Sequence, residues 1–486
     1  MPSRPANREQ TPGIEELCAE FQNENPHTEF VASLALEIFD AVRSALNLRK
    51  SDRLLLEAAS KLHDIAYSQD PANHPQAAAE LILSRGLRGF TARQQTEIAA
   101  IISLHGKLPD DGQLPRALGN LAQPERIFKL AAILRIADAL DSGHLQESRI
   151  KSISLDNGLF RIQVATPAGA AGIERAMAKS DLWQRVFPLG VLFEAVPRKC
   201  KPEPQPDQPA GEALRRLMLR QFRVLRTSAR RAAREDDEET LHDLRIAARS
   251  LRRILEAFDR PLRDTSAKEV ESLLRDFTKA LGPARDIDVW LAILQKPKIR
   301  PLIESAPDFL AAQEKLRAGS RADLRAYLQG PDVQNLMARF GYLLRIELVH
   351  AGGRLNRKFG PLARRAVRDA WRAALAKKRW AKSQSPEKLH RLRIRLRKLR
   401  LLTSLVEAAL GSRASFLIET VRPIERNLGR IHDLDLALAR ASEAEAPPEL
   451  VAALAKRRRK EYKRFREAWD AFLDRKIQRN CRAAWK

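Results

Sequence analysis

Apolar residues recur at three- and four-residue intervals along most of this 486-residue chain. That period belongs to helices that bury one face. It begins near Ile14 and runs through FVASLALEIFDAVRSAL and DRLLLEAASKLHDIAYS. It continues in TARQQTEIAAIISLHG, where Thr91 suits an N-cap and Gly106 a stop. In PERIFKLAAILRIADALDSGH, Pro124 suits the first turn of a helix. One stretch departs from the period. RIKSISLDNGLFRIQVAT alternates around Asp156-Asn157-Gly158, which predicts a small β-hairpin. A further helix is predicted over 171–184. From 211 onward the period is helical almost throughout, with breaks near Pro261, Gly282-Pro283, Pro297–Pro301, Gly330-Pro331, Gly360-Pro361, Gly411 and Pro447-Pro448. The expected fold class is all-α (mainly).

Residues 1–13 are polar and read as a loose arm. In KPEPQPDQPA (201–210) proline alternates with polar residues, the composition of a stiff, solvated spacer. The expected organisation is a domain over 14–198, a Pro-rich linker over 199–210 and a second domain over 211–486. Charge divides the chain at the same place. Residues 1–200 hold 23 Lys+Arg against 24 Asp+Glu, and the remainder holds 64 against 37, so the net +26 is entirely C-terminal. A basic domain of this size calls for nucleic acid, an anionic membrane or an inorganic polyanion as partner. No run approaches 18 apolar residues, so no transmembrane helix is expected. The N-terminus lacks the apolar core of a signal peptide. Cys18, Cys200 and Cys481 stand alone, which argues against a disulfide framework or a cysteine-based zinc site. A cytoplasmic location is expected.

The basic domain contains one stretch twice: LHDLRIAARSLRRILEAF from Leu241 and LHRLRIRLRKLRLLTSLV from Leu389. His242, Arg245, Arg249 and Arg252 sit at i, i+3, i+7 and i+10, and His390, Arg393, Arg397 and Arg400 repeat the spacing. At about 100° per residue, each set covers about a quarter of its helix. Arg253 and Lys398 adjoin these cationic edges, and Leu241, Leu244, Leu251 and Leu255, with Leu389, Leu392, Leu396 and Leu399, form the apolar stripes beside them. Further on, Leu281-Gly282 aligns with Leu428-Gly429, and Arg285-Asp286-x-Asp288 with His432-Asp433-x-Asp435. His242 precedes Asp286 by 44 residues and His390 precedes Asp433 by 43. Matched spacing of this kind indicates two copies of one helical bundle, about 211–350 and 360–486.

Arginine forks match phosphate oxygens, and lysines add point charge. Platforms for single-stranded bases need exposed aromatics. Aromatics are only 6% here, and Trp290, Trp371, Trp380 and Trp469 read as core. The two motif histidines read either as phosphate donors or as groups satisfied by a partner helix. Asp286 and Asp288 read as an interhelical salt-bridge network that fixes the cationic surface.

In the acidic half, His27, His63-Asp64 and Asp138 have metal-ligand types in a plausible order, and His74 and His105 extend the set toward a second metal. Imidazole with carboxylate suits manganese, iron, zinc or magnesium. The alternative is a set of surface and capping residues.

Both halves resemble known families. LLLEAASKLHDIA, NHPQAAAELI, GLRGFTARQQTEIAAIISLHGKLP and KLAAILRIADALD resemble the C-terminal domain of the exopolyphosphatase/guanosine pentaphosphatase family, which has an HD-type helical fold. The resemblance implies metal ligation by His27, His63, Asp64 and Asp138, with His74 and His105 auxiliary. Ala66 replaces the glycine usual after the HD pair, and the actin-like domains that carry that family's exopolyphosphatase reaction are not found in this sequence. Residues 211–486 resemble the CHAD domain, the conserved histidine α-helical domain. That resemblance implies a pair of four-helix bundles related by a pseudo-twofold axis. It also implies a basic channel or groove for inorganic polyphosphate, lined by His242, Arg245, Arg249, Arg252, Arg253, Arg285, His390, Arg393, Arg397, Lys398 and Arg400. The E-x-E-x-K motif of triphosphate-tunnel relatives is missing.

The expected function is binding of inorganic polyphosphate, with an HD-type domain acting as a divalent-metal-dependent phosphohydrolase and an association with polyphosphate granules. The alternatives are a protein that binds nucleic acid non-specifically, or a non-catalytic granule scaffold with a degenerate HD domain.

Overall fold

A computed structural model describes residues 11–21, 23–106, 121–156, 158–166, 171–197, 204–304 and 306–485. The chain divides into two compact units, Met1–Pro202 and Glu203–Lys486. It is mainly helical, as the periodicity predicts. No helix among the described residues is long and apolar enough to cross a membrane. Residues 1–10 of the expected arm, 199–203 of the expected linker and Asn157 of the hairpin turn lie outside the described residues.

The first unit contains α1 (Ile14–Glu20), α2 (Asn25–Val42), α3 (Asp52–Leu62), α4 (His74–Arg85), α5 (Ala92–Ser103) and α6 (Pro124–Leu140). β1 (Arg149–Asp156), β2 (Leu159–Thr166), α7 (Ala171–Ala178), α8 (Asp181–Val186) and β3 (Gly190–Pro197) follow. α6 is the central element. Its residues from Leu130 to Ala137 are all buried, so the helix is covered on every side by α2, α3, α5, α7 and α8. A polar side chain on this stretch of α6 must therefore find a partner inside the unit. Thr91 caps α5 in a reciprocal box with Gln94, as expected. The β1–β2 hairpin also forms, with Asp156 opposite Leu159.

Two features differ from expectation. β3 pairs parallel with β2 and makes the sheet three-stranded in the order β1-β2-β3. A parallel pair needs a crossover, and α7 with α8 supplies it. The helix predicted over 171–184 is accordingly broken, with Lys179 and Ser180 in a turn between α7 and α8.

The second unit runs through α9 (Ala210–Ala232), α10 (Glu238–Ala257), α11 (Asp259–Leu262), α12 (Ala267–Ala280), α13 (Gly282–Leu294), α14 (Pro307–Gln329) and α15 (Pro331–Tyr342). It continues with α16 (Phe359–Leu375), α17 (Pro386–Leu405), α18 (Glu407–Leu410), α19 (Arg413–Glu443), α20 (Pro448–Phe472) and α21 (Arg475–Arg482). The internal repeat is visible in the packing. α10 lies on α9 and α12, and α17 lies on α16 and α19; α13 packs on α14, and α19 on α20. Equivalent elements meet across the repeat, α10 with α17 and α13 with α19, which is the contact pattern of a pseudo-twofold. The copies differ at one joint. α12 and α13 are separate at Leu281-Gly282, whereas α19 runs through Leu428-Gly429 as one 31-residue helix with Pro423 inside.

The leucine stripes of α10 and α17 are buried as predicted. Trp290, Trp371 and Trp469 are core residues, but Trp380 is only half-buried, with Lys377 and Arg395 over its ring. The last part of the expected linker is not a free spacer. Gln208 and Pro206 carbonyls accept from the backbone of Phe359 and Gly360, and Ala210 donates to Arg357. Gly360 has no alternative residue there, because a Cβ would sit 2.9 Å from Pro206 Cβ.

Candidate functional site

In the first unit the structure brings all six expected metal-type residues together. His27 comes from α2 and Asp138 from α6, while His74 opens α4. His63, Asp64 and His105 follow directly on the ends of α3 and α5, where the helices stop feeding their own backbone and turn side chains inward. Asp64 is the centre. Its Oδ2 lies 3.8 Å from His27 Nε2 and 3.5 Å from His63 Nε2; its Oδ1 lies 3.1 Å from His74 Nε2 and 3.8 Å from His105 Nε2. Asp138 Oδ1 faces His27 and His63 Nε2 at 3.5 and 3.9 Å. Each oxygen of Asp64 thus serves one trio: His27 and His63 on one side, His74 and His105 on the other.

All four imidazoles are held by their other nitrogen. Nδ1 of His63, His74 and His105 meets the carbonyls of Ser60, Pro71 and Ile102 at 2.8, 3.1 and 2.7 Å. A nitrogen facing a carbonyl must carry the proton, so Nε2 keeps its lone pair. His27 Nδ1 meets Asp141 Oδ2 at 2.8 Å. Among the described residues, His27 Nε2 and His63 Nε2 are buried without a hydrogen-bond partner. Two orphaned acceptors, aimed at two carboxylates and locked from behind, fit a divalent cation.

Electrostatics agree with that fit. Burial pushes the His63 and His105 pKa down, His105 well below the usual histidine range with help from His63, His74 and Lys179. Burial alone would also keep His27 neutral, but the Asp138 and Asp141 carboxylates push it up to about 10. The pocket thus draws in positive charge, which a metal supplies as well as a proton does. Burial works against the Asp138 carboxylate, yet Lys179, His27 and His63 hold it well below the usual carboxylate range.

The sequence reading missed Asp141, His144, Glu24 and Lys179 at this site. Asp141 takes His27 Nδ1 on Oδ2 and the Gln146 backbone N–H on Oδ1, the latter at 2.8 Å. His144 lies against the His27 ring with centroids 3.9 Å apart, and its Nδ1 is 3.1 Å from Glu24. Asp141 stands one helical turn after Asp138, and that spacing was the available signal. Nothing in the local sequence marks Lys179.

In the second unit the basic motifs of α10 and α17 face each other, and the expected cations sort into two groups. Arg252 pairs with Glu256 at 3.1 Å and with Glu271 at 3.0 Å; Arg253 and Lys398 also pair with Glu256, at 2.6 and 3.0 Å; Arg400 pairs with Glu425. These four are held by carboxylates. Arg245, Arg249, Arg393 and Arg397 form the other group. Among the described residues Arg249, Arg285 and Arg393 make no ion pair or hydrogen bond. Arg245 donates only to the Leu281 carbonyl, at 3.0 Å, and Arg397 is 3.4 Å from Glu425.

Burial and mutual repulsion act on this group. Burial and then the charges of Arg397, Arg245 and Arg393 pull Arg249 down to about 9. Burial pulls Arg245 down to about 10, with Asp286 opposing and Arg285, Arg397 and Arg393 assisting. Burial lowers Arg393 against the pull of Asp433 and Glu425, and burial and then Arg393 lower Arg397. All four remain cations at neutral pH and crowd together, with Asp286 acting on Arg245, Asp433 and Glu425 on Arg393, and Glu425 on Arg397.

The two motif histidines occupy different settings. His242 is exposed beside Arg285. His390 is half-buried and its Nδ1 lies 3.0 Å from His432 Nδ1, so one ring carries the proton for both. Burial and then Arg393 and His390 push His432 down to about 3, and burial lowers His390 too. His432 was missed, although it aligns with Arg285 in the repeat. Asp288 is buried on α13 and meets Arg317 and Arg321 of α14 at 3.1 and 2.6 Å, while its counterpart Asp435 on α19 meets Arg458 of α20. These aspartates brace the bundles. Asp286 lies near Arg245, and burial pushes Asp433 up against the pull of Arg393 and Arg285.

Comparison with known proteins follows the division of the chain. Residues 8–182 match the family model Ppx/GppA phosphatase, domain III. Among solved structures, the crystal structure of the CHAD domain from the plant Ricinus communis is similar, with 19% identity and a TM-score of 0.48, covering 57% of this chain and 97% of that one. Residues 177–259 and 216–442 match the CHAD domain model, together more than half of the chain, and the protein therefore belongs to the CHAD domain family.

Proposed function

We propose that the second unit binds inorganic polyphosphate across the paired faces of α10 and α17. The observation that carries this reading is the group Arg245, Arg249, Arg393 and Arg397. Like charges crowded together and half-buried destabilise a fold unless an anion completes them. A linear chain with about one charge per phosphate suits a line of guanidinium forks. The paired cations around Glu256 and Glu425 hold the two helices in register beside it. The test is competition at physiological salt. Long-chain polyphosphate displaces RNA and duplex DNA, and charge reversal at Arg245, Arg249, Arg393 and Arg397 abolishes binding with helicity unchanged. Tighter binding of duplex DNA at equal charge sinks the polyphosphate reading in favour of a nucleic-acid protein.

A second reading concerns the first unit and rests on the split carboxylate of Asp64. We infer a divalent-metal centre held by His27, His63, Asp64 and Asp138, with His74 and His105 on the other oxygen of Asp64. Such a cation polarises a phosphoryl oxygen and activates water, the chemistry of a phosphohydrolase. The protein's part is to fix the ligands: Ser60, Pro71, Ile102 and Asp141 set the ring tautomers. Metal analysis of the purified chain tests this, because manganese, iron or zinc is retained by the native protein and lost in His63→Ala. A protein that holds no metal supports the scaffold alternative.

A further inference from the structure

Resting on the metal-centre reading, we propose that Lys179 is a substrate-binding residue of that centre, which holds a phosphoryl oxygen of a phosphate ester or anhydride. Lys179 does not belong to the helical core that carries the ligands. It comes from the turn between α7 and α8, in the segment that crosses from β2 to β3. Its Nζ lies 2.5 Å from Asp138 Oδ2 and 3.2 Å from the His105 carbonyl. Asp138 keeps its other oxygen toward His27 and His63. The ammonium thus sits at the margin of the ligand cluster without taking the ligand oxygen.

The placement is enforced by a buried arginine. Arg135, one turn before Asp138 on α6, donates Nη1 to the Leu104, His105 and Gly106 carbonyls and Nη2 to Asp181, the last at 2.7 Å. Its Nε points at the Lys179 carbonyl at 3.4 Å. One guanidinium therefore ties the end of α5 to the α7–α8 turn, fixing His105 and Lys179 together. Gly106 allows the loop to close down, since a Cβ there would lie 2.9 Å from Pro75 Cγ beside His74. A surface ion pair worth a fraction of a kcal/mol would not need such bracing.

Charge supplies the chemical argument. Four carboxylates, Asp64, Asp138, Asp141 and Glu24, converge on the centre; two of them hold His27 protonated, and the negative charge left over repels an anionic substrate. Lys179 brings fixed positive charge to its edge. Two of its three donors are used by Asp138 and His105, and the side chain is 20% exposed, which leaves the third donor for a ligand. A phosphoryl oxygen accepts from it as a charge-assisted hydrogen bond. A neutral ester or amide would gain little there.

The experiment uses the full chain loaded with manganese, and reads the paramagnetic relaxation of the ³¹P signal of inorganic phosphate. That signal reports phosphate close to the bound ion. Native protein takes up manganese and relaxes phosphate, and His63→Ala does neither. Lys179→Gln keeps its manganese, and the phosphate concentration for half-maximal relaxation rises about tenfold, the scale of one lost charged hydrogen bond. Lys179→Arg recovers part of the loss. Equal phosphate affinity in native and Lys179→Gln protein overturns the proposal, as does loss of manganese in Lys179→Gln with phosphate affinity per bound ion unchanged, which marks the lysine as a mere partner of Asp138. Absence of His63-dependent manganese uptake removes the metal centre itself, and this role of Lys179 with it.

Discussion

Lys398 of α17 reaches Glu256 of α10, with Nζ 3.0 Å from Oε2, and the same carboxylate holds Arg252 and Arg253. One glutamate thus gathers three cations from two bundles. Burial works against its charge, and Arg253 and Lys398 keep its pKa low. Replacing it with Gln releases those cations toward any polyanion on the paired helices. Glu256→Gln is expected to bind polyphosphate more tightly by a few-fold and to steepen the dependence of log K on log salt by about one unit. Anisotropy titrations over a salt series check both. A flat response would place the polyanion away from this end of α10.

Arg249 and Arg397 repel each other inside the half-buried group. Arg249→Gln is expected to raise the unfolding midpoint by a few degrees, on the order of 1 kcal/mol, because strained functional groups commonly trade stability for activity. The same change lowers polyphosphate affinity about tenfold. Thermal melts and binding titrations must move in opposite directions. A variant that loses both stability and binding shows a structural arginine instead.

Acid acts through His432. Its folded pKa, near 3, lies below the usual histidine value, so the unfolded chain binds the proton more readily. Its contribution to stability is intact above about pH 6.5 and declines as pH falls toward 3. Denaturant midpoints between pH 7 and 4 are expected to fall further for native protein than for His432→Gln. Equal slopes would show that the His390–His432 contact is not protected from protonation.

Asp288 is buried between Arg317 and Arg321. Asp288→Asn removes the buried counter-charge of those guanidiniums, which Asp236 also meets, and is expected to cost about 3 kcal/mol of stability. Ligand affinity of the remaining folded protein stays within about twofold, since the aspartate braces α13 against α14 and does not face α17. Chemical denaturation and titration at low temperature separate the two effects.

Asp141 fixes the His27 tautomer from behind. Asp141→Asn is expected to weaken manganese uptake about 10- to 100-fold, the scale of a lost outer partner of a metal ligand. Equilibrium dialysis measures it, with circular dichroism as the check on folding.

Helix positions were legible because each helix carries its own apolar period and its own stops. The six metal-type residues were legible because each stands in or beside a recognisable helix. β3 was not, because a short parallel strand takes its meaning from β2, which lies before the crossover. Lys179 was equally silent: its value comes from a break that the Arg135–Asp181 contact stabilises, and no local pattern records it. The arginine stripes were readable as stripes, but their division into closely paired and more loosely compensated members was not. That division depends on Glu256, Glu271 and Glu425, carboxylates whose position opposite a given arginine is set by the fold.

The pseudo-twofold between α10 and α17 bears on ligand polarity. A site that maps onto itself by a half-turn presents the same cations to a polymer entering from either end. A strand of nucleic acid has a 5′ and a 3′ direction, so its two halves cannot meet both copies alike. A chain of phosphates reads the same from both ends, and both of its halves can. The departures from symmetry, among them His390–His432 against His242–Arg285 and the unbroken α19 against α12 and α13, then become features by which the protein could tell one end of such a chain from the other.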